Sequence, residues 1–515
     1  MVIDFTHIER TNIIGYSPLD PKDLAAKIAA GCKPSQLPGD FILIVEGKRS
    51  DRLPYVALIT SAVCAIPYYV YQLNDRFVHG KNVFEVVEKA KIAWKWNNNA
   101  LNSIALLGFC LGNDSLHQDI QRVNPACIYY YCERLNIIKD TFPTDIFSGD
   151  RLIDDALEEY NRVCDQYYSN RVCLSLSAGY DSRVLLASLL KRGIKPIVGT
   201  EGSPDSEDVR IASAIARDFA LEHRVIELSE NDFIKSADTV VEATSGELLL
   251  GGGWGAFLFL QQVQFPENML HLAGTNGELF RTFYFDLGIL CQIADRFPKL
   301  LLKQFFDTYL IRRQRQYKDF STEAFLWNKQ SLKSSDISDR CYQLSAITGR
   351  RFSNRLDYFY TYYRVRNYIG QGVALYNLVN LTSSPFLDYR VVMAGAKLNR
   401  KYKLNNFFHQ QILLDSYPQL INYPVNGSSI STTPTERNFY WLKKKSKNKS
   451  TGKSLAIRLM ESELKDICYN SPYLDNFLDR KQRIMAVEDR VFSIFSFLVT
   501  MHFVCKKIER INAKK

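Results

Sequence analysis

The run Ser177-Ala178-Gly179-Tyr180-Asp181-Ser182-Arg183 joins small residues, hydroxyls and a carboxylate in one short stretch. Small side chains at Ser177, Ala178 and Gly179 let the backbone approach an oxygen closely. Ser177 and Ser182 add hydroxyl donors, and Asp181 is the type of ligand that holds the magnesium accompanying a nucleotide. If the stretch opens a helix, the unpaired N–H groups and partial positive charge of that terminus suit a phosphate. A serine N-cap with a glycine turn is the structural alternative, and the letters alone do not separate the two. A second stretch, His271-Leu272-Ala273-Gly274-Thr275-Asn276-Gly277-Glu278-Leu279-Phe280, sets an acid behind a glycine turn.

The neighbouring sequence determines which elements hold these stretches. Residues 172–176 read as a strand and 184–190 as a helix. Residues 196–198 form a second strand ending in Gly199-Thr200-Glu201-Gly202. A helix over 208–219 carries Ile211, Ala212, Ile215 and Phe219 at helical spacing, and 224–228 is a third strand. Strands alternating with helices predict βαβ units and a parallel sheet. Right-handed crossovers would then put all strand C-termini, and the ligand, on one edge. Upstream, residues 40–140 hold short Val-, Ile- and Tyr-rich runs (41–45, 55–64, 68–73) between turn residues, and a helical stretch at 84–91. They predict an α+β domain with mostly antiparallel strands. Residues 306–380 are helical and aromatic, and the C-terminal part is helical with a basic tail.

Ser-x-Gly-x-Asp-Ser after a buried strand resembles the pyrophosphate-binding loop of the N-type ATP pyrophosphatases, with Ala178 where that family has its first glycine. Positive φ at an alanine would be strained. Further segments resemble the asparagine synthetase branch, in the same order. They are Ser206-Glu207-Asp208 with His223, the Gly274–Glu278 turn, Arg364-Val365-Arg366-Asn367, and Pro385-Phe386-Leu387-Asp388-Tyr389-Arg390. Leu37-Pro38-Gly39-Asp40-Phe41 and Gly112-Asn113-Asp114-Ser115-Leu116 resemble the class II glutamine amidotransferase domain fused to those synthetases.

The resemblance implies an α/β chain of three parts. Residues 1–145 would be a degenerate amidotransferase-like (Ntn-type) sandwich, and 150–440 a parallel-sheet ATP-pyrophosphatase domain of adenine nucleotide alpha hydrolase type with a helical C-terminal part. Residues 441–515 would be a basic helical extension. It implies an ATP-dependent carbon–nitrogen ligase that adenylates a carboxylate, releases pyrophosphate and passes the acyl group to ammonia or an amine. The reference reaction is aspartate to asparagine, with a small-molecule, sugar or peptide carboxylate as the wider substrate class and a homodimer as the assembly. ATP and Mg²⁺ are the implied cofactors. Ser177, Ala178, Gly179, Tyr180, Asp181, Ser182, Asp208, Gly274 and Gly277 would bind ATP or pyrophosphate, with Asp181 on the metal. Glu278 and Arg390 would be catalytic.

The chain departs from the pattern at three places. The family's nucleophile is a cysteine exposed as residue one; here Val2 follows Met1 and the first cysteine is Cys32, so glutaminase activity is not expected. The family's turn has a further acid, absent from Gly274–Glu278. The family's pyrophosphate-neutralising lysine is missing from Ile421-Asn422-Tyr423-Pro424-Val425-Asn426-Gly427, which holds no cation. Removing a preorganised charge from such a centre costs orders of magnitude in rate. Arg183, Arg390 and the run Lys443-Lys444-Lys445-Ser446-Lys447-Asn448-Lys449 are the substitutes on offer. These losses support an alternative, a non-catalytic relative that binds nucleotide or a partner protein. Relatives that cyclise β-lactams or lasso peptides also lack glutaminase activity. A tRNA-modifying pyrophosphatase is a third reading, opposed by the absence of any recognised RNA-binding module.

Composition sets the outer limits. Hydrophobic residues at 46% and charged residues at 23% predict ordinary globular domains. A net charge of +10 attracts anions only mildly, and the lysine run reads first as a solvated loop. Eleven cysteines without pairs or a Cys/His cluster predict reduced thiols and a cytoplasmic protein. No signal peptide or membrane span is expected, and no nucleic-acid partner. His79, His117, His409 and His502 stand isolated in sequence and read as structural, as does the cluster Tyr358-Phe359-Tyr360 with Tyr362 and Tyr363.

Overall fold

Alternating apolar side chains layer the first part of the chain. Its strands are β1 (His7–Tyr16), β2 (Asp40–Lys48), β3 (Pro54–Thr60), β4 (Tyr69–Leu73), β5 (Arg76–Gly80), β6 (Ile120–Arg122), β7 (Cys127–Tyr131) and β8 (Leu135–Lys139). They form an antiparallel sheet in the order β1-β2-β3-β7-β8 and a second, β5-β4-β6. Phe41, Leu43 and Val45 of β2 pack with Leu24, Ala25 and Ile28 of α1 (Pro21–Ala29). Ile42 points to the opposite face and meets Leu58, Tyr129 and Val70. On the far side of β4, Tyr69 and Tyr71 pack with Val86 and Val87 of α2 (Val83–Ala90) and Ile104 of α3 (Asn98–Leu107). The period of two thus produces helix–sheet–sheet–helix layers.

The computed structural model describes residues 5, 7–73, 76–140, 149–168, 171–281, 283–284, 294–315, 326–327, 330–331, 334–346, 351–425 and 455–513. The expectations placed on Val2, on Asn426 and Gly427, and on the lysine run beginning at Lys443 lie outside them.

The second part is built on a parallel sheet. After α4 (Ile153–Tyr167) come β9 (Val172–Ser175), α5 (Tyr180–Lys191), β10 (Ile197–Glu201), α6 (Glu207–Asp218), β11 (His223–Ile226), α7 (Glu230–Ala243), α8 (Trp254–Val263) and β12 (Leu270–Leu272). A short pair, β13 (Leu326–Trp327) and β14 (Gln330–Ser331), precedes β15 (Thr382–Ser383). The sheet order is β11-β10-β9-β12-β15, with all neighbours parallel. Consecutive strands run outward from β9 in one direction, and the later strands fill the other side. The order therefore reverses between β9 and β12, which is where parallel sheets open a crevice at their C-terminal edge. Buried His271 fixes this central region: its Nε2 lies 2.8 Å from Ser175 Oγ and its Nδ1 3.1 Å from Thr382 Oγ1.

Helical segments complete the molecule. A π-helical stretch, Tyr360–Ile369, continues into Gly370–Tyr376. Gly370 meets the first part so closely that a Cβ there would lie 1.9 Å from the Ala65 carbonyl oxygen. The last helix, Phe492–Asn512, buries Phe495 and Leu498 in a core shared with Val240 of α7 and Val87 of α2. The chain is thus a mixed α/β fold. No described helix is long and apolar enough to cross a membrane, and the described cysteines are all free.

Candidate functional site

The loop after β9 is held in shape by its own hydroxyls. Ser177 N–H donates to Ser182 Oγ at 3.1 Å, the two serine oxygens lie 3.1 Å apart, and Gly179 N–H donates to Ser177 Oγ at 3.2 Å. Gly179 is the N-cap of α5 with extended φ −75° and ψ 170°, and no side chain caps that terminus. By contrast, Ser206 caps α6. Ala178 is not among the residues with positive φ, so alanine in place of the resembled glycine carries no backbone strain. Asp208, in the first turn of α6, accepts the Ala178 N–H at 2.7 Å. The carboxylate expected on the nucleotide side does reach the loop, but it takes up one of the loop's backbone amides.

The turn after β12 closes on Asp181. Asn276 takes the left-handed region at φ 71°, which asparagine tolerates better than most residues, and its Nδ2 donates to the Phe386 carbonyl at 2.9 Å. Ser384 Oγ donates to the Thr275 carbonyl at 2.8 Å. The Pro385–Leu387 segment therefore holds the turn in place from the adjoining strand β15. A Cβ on Gly274 would lie 2.6 Å from Asp181 Cβ, and one on Gly277 would lie 2.5 Å from Asp181 Oδ1. Glycine at both positions is what allows the two loops to meet.

Four polar groups converge there. Arg281 Nη2 lies 2.9 Å from Asp181 Oδ2 and 3.1 Å from Glu278 Oε1. His409, on the helix Phe407–Ser416, is fully buried, with Nε2 2.9 Å from Asp181 Oδ1. Burial pushes the Asp181 carboxyl up, but the His409 ring and the Arg281 guanidinium outweigh it and leave it below the usual carboxylate value. Glu278 is shifted the other way: burial and the Asp181 charge raise it, against the pull of Arg281. Two neighbouring carboxylates are thus shifted in opposite directions by their surroundings.

No protein-family model matches the chain, and no curated protein matches it.

The sequence-derived candidates divide into two groups. Ser177, Ala178, Gly179, Tyr180, Asp181, Ser182, Asp208, Gly274, Gly277 and Glu278 all belong to the two loops and the helix termini flanking the sheet reversal. Arg390 stands apart from them. It follows Asp388 at a helix start, and its Nε and Nη2 fork onto that carboxylate at 2.9 and 3.0 Å while Nη2 also donates to Gln166 at 2.7 Å. A fully buried Asp388 demands a cation, and Arg390 is committed to supplying it. Arg183 is likewise committed. Its buried guanidinium donates to the carbonyls of Tyr423 at 2.6 Å, Pro424 at 2.8 Å and Ala178 at 3.2 Å, and burial lowers its pKa to about 10.

Sequence reading missed Arg281 and took His409 as isolated. Arg281 had a signal, one helical turn beyond Glu278; His409 reaches the site only through tertiary packing. Their presence bears on the implied metal. Asp181 Oδ2 accepts from Arg281 Nη2 and Oδ1 lies 2.9 Å from His409 Nε2 without a hydrogen bond, so the carboxylate faces nitrogen on both sides, and among the described residues no group of three or more His, Cys, Asp or Glu could hold a metal ion. Magnesium on Asp181 does not fit this arrangement. The α5 terminus carries no side-chain cap, and the Ser177 and Ser182 hydroxyls flank it.

Proposed function

We propose that the chain is an ATP-dependent, amide-forming ligase of the asparagine synthetase type. It would activate a carboxylate at loop 177–182 and pass it to ammonia or an amine. One observation carries the reading: the loops after β9 and β12, neighbours flanking the reversal of strand order, meet at Asp181 beside an uncapped helix terminus. ATP, when bound, supplies the AMP that activates the carboxylate. The α5 terminus and the two serine hydroxyls would take the departing phosphates, with Asp208 turning off Ala178 N–H to admit them. Glu278, whose pKa burial and the Asp181 charge raise, would accept the proton of an attacking amine. The first part, layered as helix–sheet–sheet–helix, is read as an Ntn-type amidotransferase relative without its nucleophile.

A second reading, a nucleotide- or partner-binding relative without catalysis, is favoured by the Asp208 carboxylate on Ala178 N–H. Exchange of labelled pyrophosphate into ATP, screened over amino acids, acidic sugars and peptide carboxylates, distinguishes them. Acid-dependent exchange supports the ligase. ATP binding without exchange across the panel supports the second reading, and absence of both removes the nucleotide site.

A further inference from the structure

The carboxylate expected to face a divalent cation already faces a guanidinium. A single nitrogen, Nη2 of Arg281, stands within 2.9 Å of Asp181 and 3.1 Å of Glu278 and so bridges the two acids. The remaining Asp181 oxygen lies 2.9 Å from His409 Nε2, off the line of a hydrogen bond, and neither nitrogen of that fully buried ring has a hydrogen-bond partner among the described residues. The wall behind is backbone, because Gly274 and Gly277 press on Asp181 with no room for a methyl group. Magnesium demands near-octahedral oxygen ligands at roughly 2.0–2.1 Å and retains several waters. The position it would need between the two acids is held by nitrogen.

We propose that Arg281 is a built-in cation that replaces the metal, so that loop 177–182 binds the triphosphate in its metal-free form. This rests on the nucleotide reading above. A guanidinium stays charged at every working pH, and its planar fork of donors matches phosphate as well as carboxylate. Arg281 Nε is buried without a partner, which leaves donor capacity beyond the two acids. Asp181 and Glu278 then position the cation and are not themselves metal ligands. Excess magnesium should compete with the protein for ATP.

The test uses the full chain and two independent probes. ATP affinity is measured calorimetrically in EDTA and in excess Mg²⁺, and Mn²⁺ alone is titrated by electron paramagnetic resonance. The wild type should bind ATP in EDTA at least as tightly as with Mg²⁺, and should bind no stoichiometric Mn²⁺. Arg281→Met should lose tenfold or more in EDTA, recover with Mg²⁺, and gain a Mn²⁺ site; Arg281→Lys should keep EDTA binding. Wild-type binding that weakens tenfold in EDTA, or stoichiometric Mn²⁺ that Asp181→Asn abolishes, overturns the proposal. If no ATP binds under any condition, the nucleotide reading fails, and the Mn²⁺ titration of Arg281→Met still decides whether Arg281 fills a cation seat. Should Arg281→Met not fold, the wild-type arms decide alone.

Discussion

Asp181 and Glu278 share one arginine yet are driven in opposite directions, and contact geometry explains why. Asp181 is wedged between two glycines, so its carboxylate cannot turn away from Arg281 and His409. Gly277 has an ordinary φ, so Gly277→Ala adds only the clash with Oδ1. That variant should cost about 1–3 kcal/mol, the usual penalty of overpacking. Combined with Asp181→Ala, which removes the clashing atoms, most of the added cost should vanish. Urea denaturation of the four proteins in this cycle measures the coupling, and strict additivity would show that the two residues do not touch. Asp208 makes a separate prediction. Asp208→Asn keeps the side-chain size and removes the charge from Ala178 N–H, so inorganic pyrophosphate should bind several-fold more tightly. Weaker pyrophosphate binding, read by calorimetry, would mean that Asp208 assists the phosphates instead of excluding them.

The strands and helices show what the sequence made legible. The Val-, Ile- and Tyr-rich runs of β2 and β4 and the helical spacing in α6 are properties of short windows, legible because β2 is buried on both faces and α6 on one. The loop 177–182 was likewise local. The pairing of Arg390 was not legible, because the burial of its partner decides it. Asp388 also accepts the Gly39 N–H and the Tyr167 hydroxyl, both at 3.2 Å, so this carboxylate joins the first part of the chain to α4 and to the helix it caps. No window of sequence joins Asp388 to Gly39 and Tyr167. His409 was hidden for the same reason: it meets Asp181 only because its helix packs on α5. Arg390→Ala should therefore strip a buried acid of its cation, at a cost on the order of 3 kcal/mol. It should lower the melting temperature while leaving ATP affinity within twofold. A large loss of nucleotide affinity with unchanged melting would return Arg390 to the site.

Across the whole molecule, the parts also meet around Glu247, away from the loops that close on Asp181. Its carboxylate accepts the Tyr69 hydroxyl at 2.7 Å and the Leu116 N–H at 3.3 Å from the first part, and Gln371 Nε2 at 2.9 Å from the helix Gly370–Tyr376. Burial raises its pKa from 4.5 to about 7, against the pull of the Tyr69 hydrogen bond and the Arg122 charge. The folded chain therefore holds a proton here over a range in which the unfolded chain has released it. The resulting stability is fully present below about pH 4.5 and is lost as pH rises through about 7, amounting to roughly 3 kcal/mol across the window. Glu247→Gln fixes the neutral form, so the difference between wild type and variant should change over that range and flatten above it. Urea denaturation at a series of pH values reads this difference directly. A wild-type slope that persists unchanged in Glu247→Gln would place the pH sensitivity elsewhere. The expected result would show that the parts of the chain are joined most firmly when Glu247 keeps its proton.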